Sequence, residues 1–417
     1  MSGSRLVRNS PDLVRLVDEG YSIRVVNGFL VVDDIPFVDA SAEVRQGALL
    51  CPLALHGDRT GKPSTHVMCF AGGEPRDKNG QPIDGLIHPG VERWSAAPDL
   101  VAACGFSQKP NADGYTDYYE KVSYYAAMVV NHARALDLRV TALTAKPVAT
   151  DEDDGVFVYV DTLSSRAGIT TRSQSLAMRK VVIVGLGGTG SYLLDLLAKV
   201  PIHEIHLYDD DIFGTHNAFR APGAASLEDL RAGPMKVEYF ERMYTRMHRG
   251  IRAHAVRVTS DNVADLLDAD FVFLTMDANP DKMAIIKALT DARVPFIDTG
   301  IGVSNDPNGI AGQIRITTST PGRTDHITRD GLISYVAGDD AEYDTNLQVA
   351  ELNMMAAVQA IMRFKKLRGF YADAEDERHS VYVTHTNEIH SRYGQTDLAI
   401  TATSPDPRDD NDPDVAA

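Results

Sequence analysis

The sequence predicts an α/β protein in which a mainly parallel, doubly wound sheet follows a smaller α+β domain. After residue 179, short β-rich apolar runs alternate with helical patterns, which is typical of parallel strands connected by helices. Before residue 163, a β-type alternation and a Gly- and Pro-rich stretch precede one long helical pattern. The length of 417 residues also favours two domains over one.

Composition and charge restrict the classes of function. The chain is 44% hydrophobic and 24% charged, and it has no apolar run near the roughly 20 residues that a membrane helix needs. Its start is polar and lacks the apolar core of a secretory signal, so we expect a cytoplasmic protein without a membrane partner. A net charge of -17 argues against nucleic-acid binding. The three cysteines show no CxxC spacing, which argues against disulfides and a thiolate zinc site.

The first domain, predicted over residues 1–162, has α+β patterns and no assigned role beyond candidate partner binding. Residues 21–38 alternate apolar and polar side chains around an "NG" turn, which predicts a β-hairpin. Residues 115–136 have a helical pattern rich in Tyr, and we expect these rings to pack in the core or at an interface. Residues 140–146 and 155–163 are predicted as strands.

The second domain, predicted over residues 163–372, carries the alternating pattern. Predicted strands and helices follow one another as strand 180–188, helix 189–200, strand 204–210, helix 233–248, strand 268–277, helix 279–294 and strand 295–300. Residues 373–417 are predicted to form an extension with a short strand-like segment and a disordered acidic tail.

A glycine motif lies between the first strand and helix of the second domain. Gly185, Gly187 and Gly190 form GxGxxG in "GLGGTGS", which also contains Gly188. Glycines let a backbone turn tightly and approach a phosphate, and the following helix N-terminus offers unpaired N–H groups. The motif predicts a nucleotide site, whereas close packing of strand and helix is the alternative interpretation.

Asp209 lies 19 residues after Gly190, at the end of the second predicted strand. An acid at this position hydrogen-bonds ribose hydroxyls in a dinucleotide or in ATP. The motif and this acid therefore leave a dehydrogenase and an adenylating enzyme both open.

Polar residues after the second and third predicted strands favour adenylation. Asn217 and Arg220 follow the second strand, Lys236 opens the next helix and Asp277 ends the third strand. Transfer of an adenylyl group places charge on phosphate oxygens, which Arg, Lys and Mg²⁺ neutralise, whereas hydride transfer needs no such cations. Mg²⁺ takes one or two carboxylates together with phosphate oxygens, and this suits Asp277.

These segments resemble the ThiF/MoeB and ubiquitin-activating-enzyme superfamily. The matching segments are "GLGGTGS", "DDDIFGTHNAFR", "GPMK" and "MDAN", followed by "AGQIRI" and "AAVQAIMRFKKLRGF". The resemblance implies a Rossmann-like adenylation domain that uses ATP and Mg²⁺ and that usually dimerises. It implies these roles: Asp209 holds the ribose, Asp211 lies toward the Mg²⁺-pyrophosphate side, Asn217, Arg220 and Lys236 bind the triphosphate, and Asp277 holds Mg²⁺. The family also supplies an Arg ahead of the first strand, for which Arg166 and Arg172 are candidates.

The sequence departs from the family in its acyl acceptor, since no cysteine follows Cys104. Three fates of the acyl group stay open. The chain stops at the acyl-adenylate, or Cys51 or Cys104 accepts the acyl group, or a hydroxyl accepts it with His326 as base. The candidate hydroxyls, expected in a loop, are those of Thr317, Thr318, Ser319, Thr320 and Ser334.

The leading functional prediction is ATP- and Mg²⁺-dependent adenylation of the C-terminal carboxylate of a ubiquitin-like protein in a bacterial conjugation pathway. A conjugating-enzyme-like protein is a second candidate partner, and a homodimer is expected from the resemblance. The alternatives are adenylation of a non-protein carboxylate and a non-catalytic partner subunit.

Overall fold

The computed structural model describes residues 3–88, 94–97, 100–147, 155–307, 309–329, 332–333, 348–373 and 376–393. Two large sheets organise these residues, one of six strands before residue 108 and one of eight strands after residue 177. A mixed α/β fold with an antiparallel first sheet and a largely parallel second sheet confirms the predicted fold class.

The first sheet is antiparallel throughout and has the strand order β1-β2-β3-β6-β8-β7. Its elements, together with the helices that pack near it and the separate β4–β5 pair, are α1 (Gly3–Asn9), α2 (Pro11–Glu19), β1 (Ser22–Val26), β2 (Phe29–Val38), β3 (Val44–Pro52), β4 (Leu55–His56), β5 (Arg59–Thr60), β6 (Val67–Ala71), β7 (Trp94–Ala97), β8 (Leu100–Ser107) and α3 (Tyr118–Arg134).

The predicted hairpin and the predicted tyrosine helix are both confirmed. Asn27 and Gly28, with φ of 48° and 82°, connect β1 and β2, and two successive positive φ values are typical of a tight hairpin turn. In α3, Tyr118 and Tyr125 are fully buried, and the Tyr125 ring stacks on Phe106 of β8 at 5.8 Å. The tyrosines therefore close the core between helix and sheet.

Two strand predictions in the first domain are wrong. Residues 140–146 form an isolated bridge between Leu143 and Tyr21, and residues 155–163 form single-residue bridges that include one between Phe157 and His248. Neither segment pairs over several residues with a strand in the described part of the chain. The second segment ends instead where Asp161 accepts hydrogen bonds from the next helix, which begins at Thr162.

The second sheet contains the predicted alternation of strands and helices. Its elements are α4 (Thr162–Arg166), α5 (Thr170–Gln174), β9 (Met178–Val184), α6 (Gly188–Leu197), β10 (Ile202–Tyr208), α7 (Thr215–Ala218), α8 (Leu227–Ala232), α9 (Lys236–Tyr244), β11 (Ile251–His254), a 3₁₀ helix (Val263–Leu266), β12 (Phe271–Leu274), α10 (Pro280–Asp291), β13 (Phe296–Asp306), β14 (Gly309–Ser319), α11 (Asp325–Arg329), α12 (Ala350–Leu367), β15 (Glu377–Val383) and β16 (Glu388–Tyr393).

The strand order β11-β10-β9-β12-β13-β14-β15-β16 indicates where on this sheet a ligand is expected to bind. The strands from β11 to β13 are parallel, and β14, β15 and β16 continue antiparallel. From β9 the chain moves outward to β10 and β11, then returns to β12 on the other side of β9. Ligands bind outside the carboxyl ends of strands at such a reversal of order.

The C-terminal strands complete this sheet. β15 and β16 lie within the predicted C-terminal extension, and β15 pairs with β14. The predicted acidic tail lies outside the described residues. Apolar clusters cover both faces of the sheet, with Leu193 of α6 and Phe364 of α12 on one face and Ile285 of α10 on the other. No helix within the described ranges is long and apolar enough to cross a membrane.

Candidate nucleotide-binding site

The loop between β9 and α6 uses its four glycines in two different ways. Gly185 has φ of 96°, and a Cβ there would lie 3.0 Å from the backbone of Thr275. A Cβ on Gly190 would overlap the Gly185 carbonyl oxygen, and one on Gly188 would overlap the Asn353 side chain. These three glycines permit close packing. Gly187 differs, because a Cβ there would meet nothing within 4 Å, so its backbone faces open space that a phosphate can enter.

Two residues that sequence reasoning missed hold this loop in place. The Thr275 hydroxyl lies 2.6 Å from the Gly185 carbonyl oxygen, to which it donates a hydrogen bond. Asn353 of α12 is 1% exposed, and its side-chain oxygen accepts a hydrogen bond of 3.0 Å from the Thr189 hydroxyl in α6. Asn353 is 164 residues from Thr189, so no local pattern could have revealed this contact.

Asp209 follows β10 and lies beside the loop. Its side chain is 9% exposed, and its carboxylate accepts hydrogen bonds from the backbone N–H groups of Leu186, at 2.6 Å, and Asp211, at 2.9 Å. The acid predicted to hold the ribose therefore fixes the conformation of the glycine loop. Carboxylate oxygens have further lone pairs, so these bonds leave acceptor capacity for a ligand hydroxyl.

Lys236 joins the acids after β10 to the start of α9. Its side chain is 7% exposed, and its ammonium lies 2.6 Å from Asp211 and 3.5 Å from Asp209. The hydrogen bond from Lys236 lowers the pKa of Asp211. Asp210, for which the sequence suggested no role, pairs with Arg257 at 3.2 Å on the surface. The carboxylate oxygens of these three successive aspartates lie within 4.8 Å of one another.

Asn217 and Arg220 offer unused donors. Asn217 is 3% exposed, and its side-chain oxygen accepts a hydrogen bond of 2.9 Å from the Gly214 N–H, whereas its buried Nδ2 has no hydrogen-bond partner among the described residues. The buried Nε of Arg220 likewise has none within the described part of the chain. Because an unmade bond at a buried donor is costly, these atoms fit a ligand that brings acceptor oxygens, as a polyphosphate does.

Asp277 lies in the exposed turn after β12. Asn279 caps α10 in the next turn, because its side chain accepts a hydrogen bond from the Lys282 N–H at 3.0 Å. Lys282 is a further residue that the sequence did not reveal. Its ammonium is 2.6 Å from the Asp298 carboxylate and donates a hydrogen bond of 3.2 Å to the Met276 carbonyl oxygen. Lys282 therefore stabilises the segment that carries Asp277.

Three of the five hydroxyls predicted to lie in a loop belong to a buried strand, so the expectation is wrong for them, whereas Thr320 follows β14 in a turn that it closes with Arg323 and is partly exposed. Thr317, Thr318 and Ser319 are in β14 and are 0%, 4% and 1% exposed, respectively. Thr317 pairs with His379, at 2.9 Å, and burial lowers the pKa of that imidazole to about 4. His326, the proposed base, contacts the Thr318 carbonyl oxygen instead. Ser334 lies outside the described residues.

The two cysteines considered as acceptors are also buried. Cys51 and Cys104 are 1% and 6% exposed, and burial raises their thiol pKa values to about 11 and 12, respectively. Thiols in this state are poor nucleophiles at neutral pH. For the family's Arg ahead of the first strand, the structure shows only that Arg166 donates to the Asp18 carbonyl and that Arg172 is exposed in α5.

The fold and this edge of the sheet define a nucleotide-binding α/β protein of the adenylating class. The ThiF family model matches residues 163–390, and the chain belongs to the ThiF family. It is accordingly a ThiF-type adenylyltransferase, and adenylation in this family uses ATP. Residues 11–162 match a domain of unknown function, DUF6791.

Several solved structures are similar to part of the chain. A crystal structure of E. coli MccB with succinimide is 20% identical, covers 55% of this chain and 71% of its own, and has a TM-score of 0.42. A crystal structure of E. coli MccB with ATP is 21% identical; the match covers 53% of this chain and 66% of MccB, with a TM-score of 0.41. A crystal structure of PaaA is 17% identical; the match covers 55% of this chain and 68% of PaaA, with a TM-score of 0.41. No curated protein matches the chain.

Proposed function

We propose that this chain adenylates the C-terminal carboxylate of a ubiquitin-like protein, with ATP and Mg²⁺, in a bacterial conjugation pathway. The observation that carries the proposal is the pair of buried donors, Asn217 Nδ2 and Arg220 Nε, that lack hydrogen-bond partners among the described residues. They follow the strand next to a glycine loop whose Gly187 faces open space. Donors without acceptors beside such a loop fit a triphosphate.

Each residue of the site has a proposed task. The backbone of Gly185, Gly187, Gly188 and Gly190 receives the phosphates, Asp209 binds the ribose, and Asp211 lies toward the metal. Asn217, Arg220 and Lys236 bind the phosphates and neutralise charge that develops when pyrophosphate leaves. Asp277 holds Mg²⁺, which when bound supplies further neutralisation of the phosphate oxygens.

The proposed product is a free acyl-adenylate that another protein consumes. No cysteine follows Cys104 in the sequence, and the thiols of Cys51 and Cys104 are buried, as are the hydroxyls of β14. A protein acceptor, such as a conjugating-enzyme-like partner, then receives the acyl group. In this proposal, residues 1–162 bind a partner, residues 163–372 carry out adenylation, residues 373–417 form an extension, and the enzyme is a cytoplasmic homodimer.

Exchange of labelled pyrophosphate into ATP tests the proposal. Ubiquitin-fold proteins that end in a flexible Gly tail should drive exchange, and Arg220→Ala should abolish it. Arg242→Ala is the matched control, because Arg242 is a half-exposed guanidinium that pairs with Asp229 away from the loop. Exchange driven only by small carboxylates would shift the proposal to a non-protein substrate, and absence of ATP binding by calorimetry would indicate a non-catalytic subunit.

The metal assignment is tested separately. Asp277→Asn should raise the Mg²⁺ concentration needed for exchange and weaken ATP binding in Mg²⁺ but not in EDTA. Asp281→Asn is its control, since Asp281 is a nearby carboxylate in the first turn of α10. Equal effects of the two variants would contradict the role of Asp277.

A further inference from the structure

Asn353 uses both ends of its side chain between two helices. Its side-chain oxygen accepts the hydrogen bond of 3.0 Å from the Thr189 hydroxyl in the first turn of α6, and its Nδ2 donates one of 3.0 Å to the Val349 carbonyl oxygen. Val349 is the N-cap of α12, and its own side chain makes no capping hydrogen bond. The side chain of Asn353 therefore joins the first turn of α6 to the first turn of α12.

The carboxamide of Asn353 also lies directly on Gly188, the first residue of α6. A Cβ on Gly188 would overlap the carbon, the nitrogen and the oxygen of this carboxamide. Asn353 is 1% exposed and Thr189 is 7% exposed, so water does not compete for their hydrogen bond. Because both polar ends of the carboxamide are satisfied in a buried position, its orientation is fixed.

The first turn of α6 is the part of this helix that offers N–H groups to a phosphate. The first backbone hydrogen bond within α6 runs from the Ser191 N–H to the Gly187 carbonyl oxygen, at 3.1 Å. The N–H groups of residues 188–190 therefore have no acceptor within the helix. Hydrogen bonds weaken steeply as the donor angle departs from linearity, so the direction of this turn decides how well these groups bind a phosphate.

Apolar packing alone would hold the two helices together without fixing that direction. Leu193 of α6 and Ala356 and Ala360 of α12 belong to one buried apolar cluster. Apolar contact is non-directional, whereas a hydrogen bond restricts both distance and angle. Asn353 and Thr189 thus add a defined orientation to a pair of helices that is already packed.

We propose that Asn353 is a positioning residue for nucleotide binding, which acts through Thr189 and Gly188 to direct the first N–H groups of α6 toward the phosphates. This inference rests on the nucleotide site of the proposed function and gives α12 a role in that site. Loss of the hydrogen bond between Asn353 and Thr189 should lower the affinity for the phosphates of ATP. The affinity for adenosine, which has no phosphate, should not depend on it.

Calorimetry of the full chain with ATP and with adenosine tests this role. Thr189→Val removes the hydroxyl and should raise the Kd of ATP by about tenfold, the scale of one lost hydrogen bond, without changing the Kd of adenosine. Thr189→Ser keeps the hydroxyl and should restore the Kd of ATP. Thr317→Val is the matched control, because Thr317 is a buried threonine whose hydroxyl pairs with His379 in the antiparallel part of the sheet. It should lower Tm as Thr189→Val does, while the Kd of ATP stays unchanged.

Asn353→Asp gives a second readout that a merely structural role would not change. The new carboxylate keeps an acceptor for Thr189 and suits the first turns of a helix, but it adds a negative charge against Gly188. The Kd of ATP relative to that of the wild type should therefore rise at low salt and rise less at high salt, because salt screens the repulsion between this carboxylate and the phosphates.

Three results would contradict this reasoning in different ways. An unchanged Kd of ATP in Thr189→Val and Asn353→Asp would overturn the inference and leave the nucleotide site intact. An equal loss of affinity for ATP and adenosine would also overturn it, since the hydrogen bond would then support the whole site rather than direct the phosphate donors. Absence of ATP binding by the wild-type chain would refute the nucleotide site itself, so the two failures are distinguishable.

Discussion

The buried ion pair between Lys282 and Asp298 should be the most costly side-chain interaction to break in the adenylation region. Asp298 is 0% exposed and Lys282 is 2% exposed, and their charged atoms are 2.6 Å apart. Lys282→Met removes the cation and leaves the carboxylate buried. Removal of one partner from a buried pair typically costs about 3–5 kcal/mol, because the remaining charge has lost its compensation.

The structure places the expected cost at the lower end of that range. Arg315 remains 3.2 Å from Asp298 and continues to neutralise it. We therefore expect Lys282→Met to lower the free energy of unfolding by about 3 kcal/mol, which for a domain of about 200 residues lowers Tm by roughly 6–12 °C. Lys282→Met combined with Asp298→Leu should recover part of this loss, since the double variant no longer buries an unpaired carboxylate but removes the Asp298 partner of Arg315.

Urea denaturation, monitored by far-UV circular dichroism, measures the free energy of unfolding of the wild type, Lys282→Met, Asp298→Leu and the double variant. Lys287→Met is the matched control, because Lys287 is on the same helix and pairs with Asp291 on the surface. A loss below about 1 kcal/mol for Lys282→Met, or additive losses in the double variant, would refute the reasoning, since a shared buried charge requires strong coupling.

Two further predictions concern the glycine loop and acid stability. Gly190→Ala should prevent ATP binding and destabilise the fold, because its Cβ would overlap the Gly185 carbonyl oxygen, whereas Gly187→Ala should fold normally and only weaken ATP binding, as calorimetry and thermal melts can measure. Burial lowers the pKa of His248 from 6.5 to about 4, so the unfolded chain takes up a proton in this interval that the native chain does not. The contribution of His248 to the free energy of unfolding should be constant above pH 6.5 and should fall by about 3 kcal/mol as the pH decreases toward 4. His248→Gln should therefore make Tm less dependent on pH in this window.

Local patterns predicted most of the parallel sheet and its connecting helices. The apolar runs that became β9 and β12 are buried on both faces, which is why their sequences are nearly continuous in hydrophobic residues, whereas β10 includes the exposed His203 and the partly buried His206. β11 escaped prediction because its four residues, Ile251–His254, are an edge strand with only one fully buried side chain. The strands predicted in the first domain were wrong where a run of β-type residues found no partner strand.

The site was predictable only as far as its residues lie at strand ends. The glycine loop, Asp209 and Lys236 come together because β9 and β10 are adjacent and parallel. Their order in the sequence therefore predicts that they lie at the carboxyl-end edge of the sheet. Thr275, Lys282 and Asn353 support the same edge through contacts that depend on how distant elements pack. A Thr, a Lys and an Asn at such positions look like ordinary polar residues in the sequence.

Thr275 and Lys282 connect the glycine loop to the segment that carries Asp277. Thr275 fixes the glycine loop, and Lys282 holds the carbonyl of Met276, one residue before Asp277. The glycine loop and the turn that carries the proposed metal ligand are thus attached to the same short segment at the end of β12. A displacement of this segment would move both together, so loss of ATP affinity and loss of Mg²⁺ affinity should accompany each other in Thr275→Val. Arg220→Ala, which acts from the β10 side, should weaken ATP binding equally in Mg²⁺ and in EDTA.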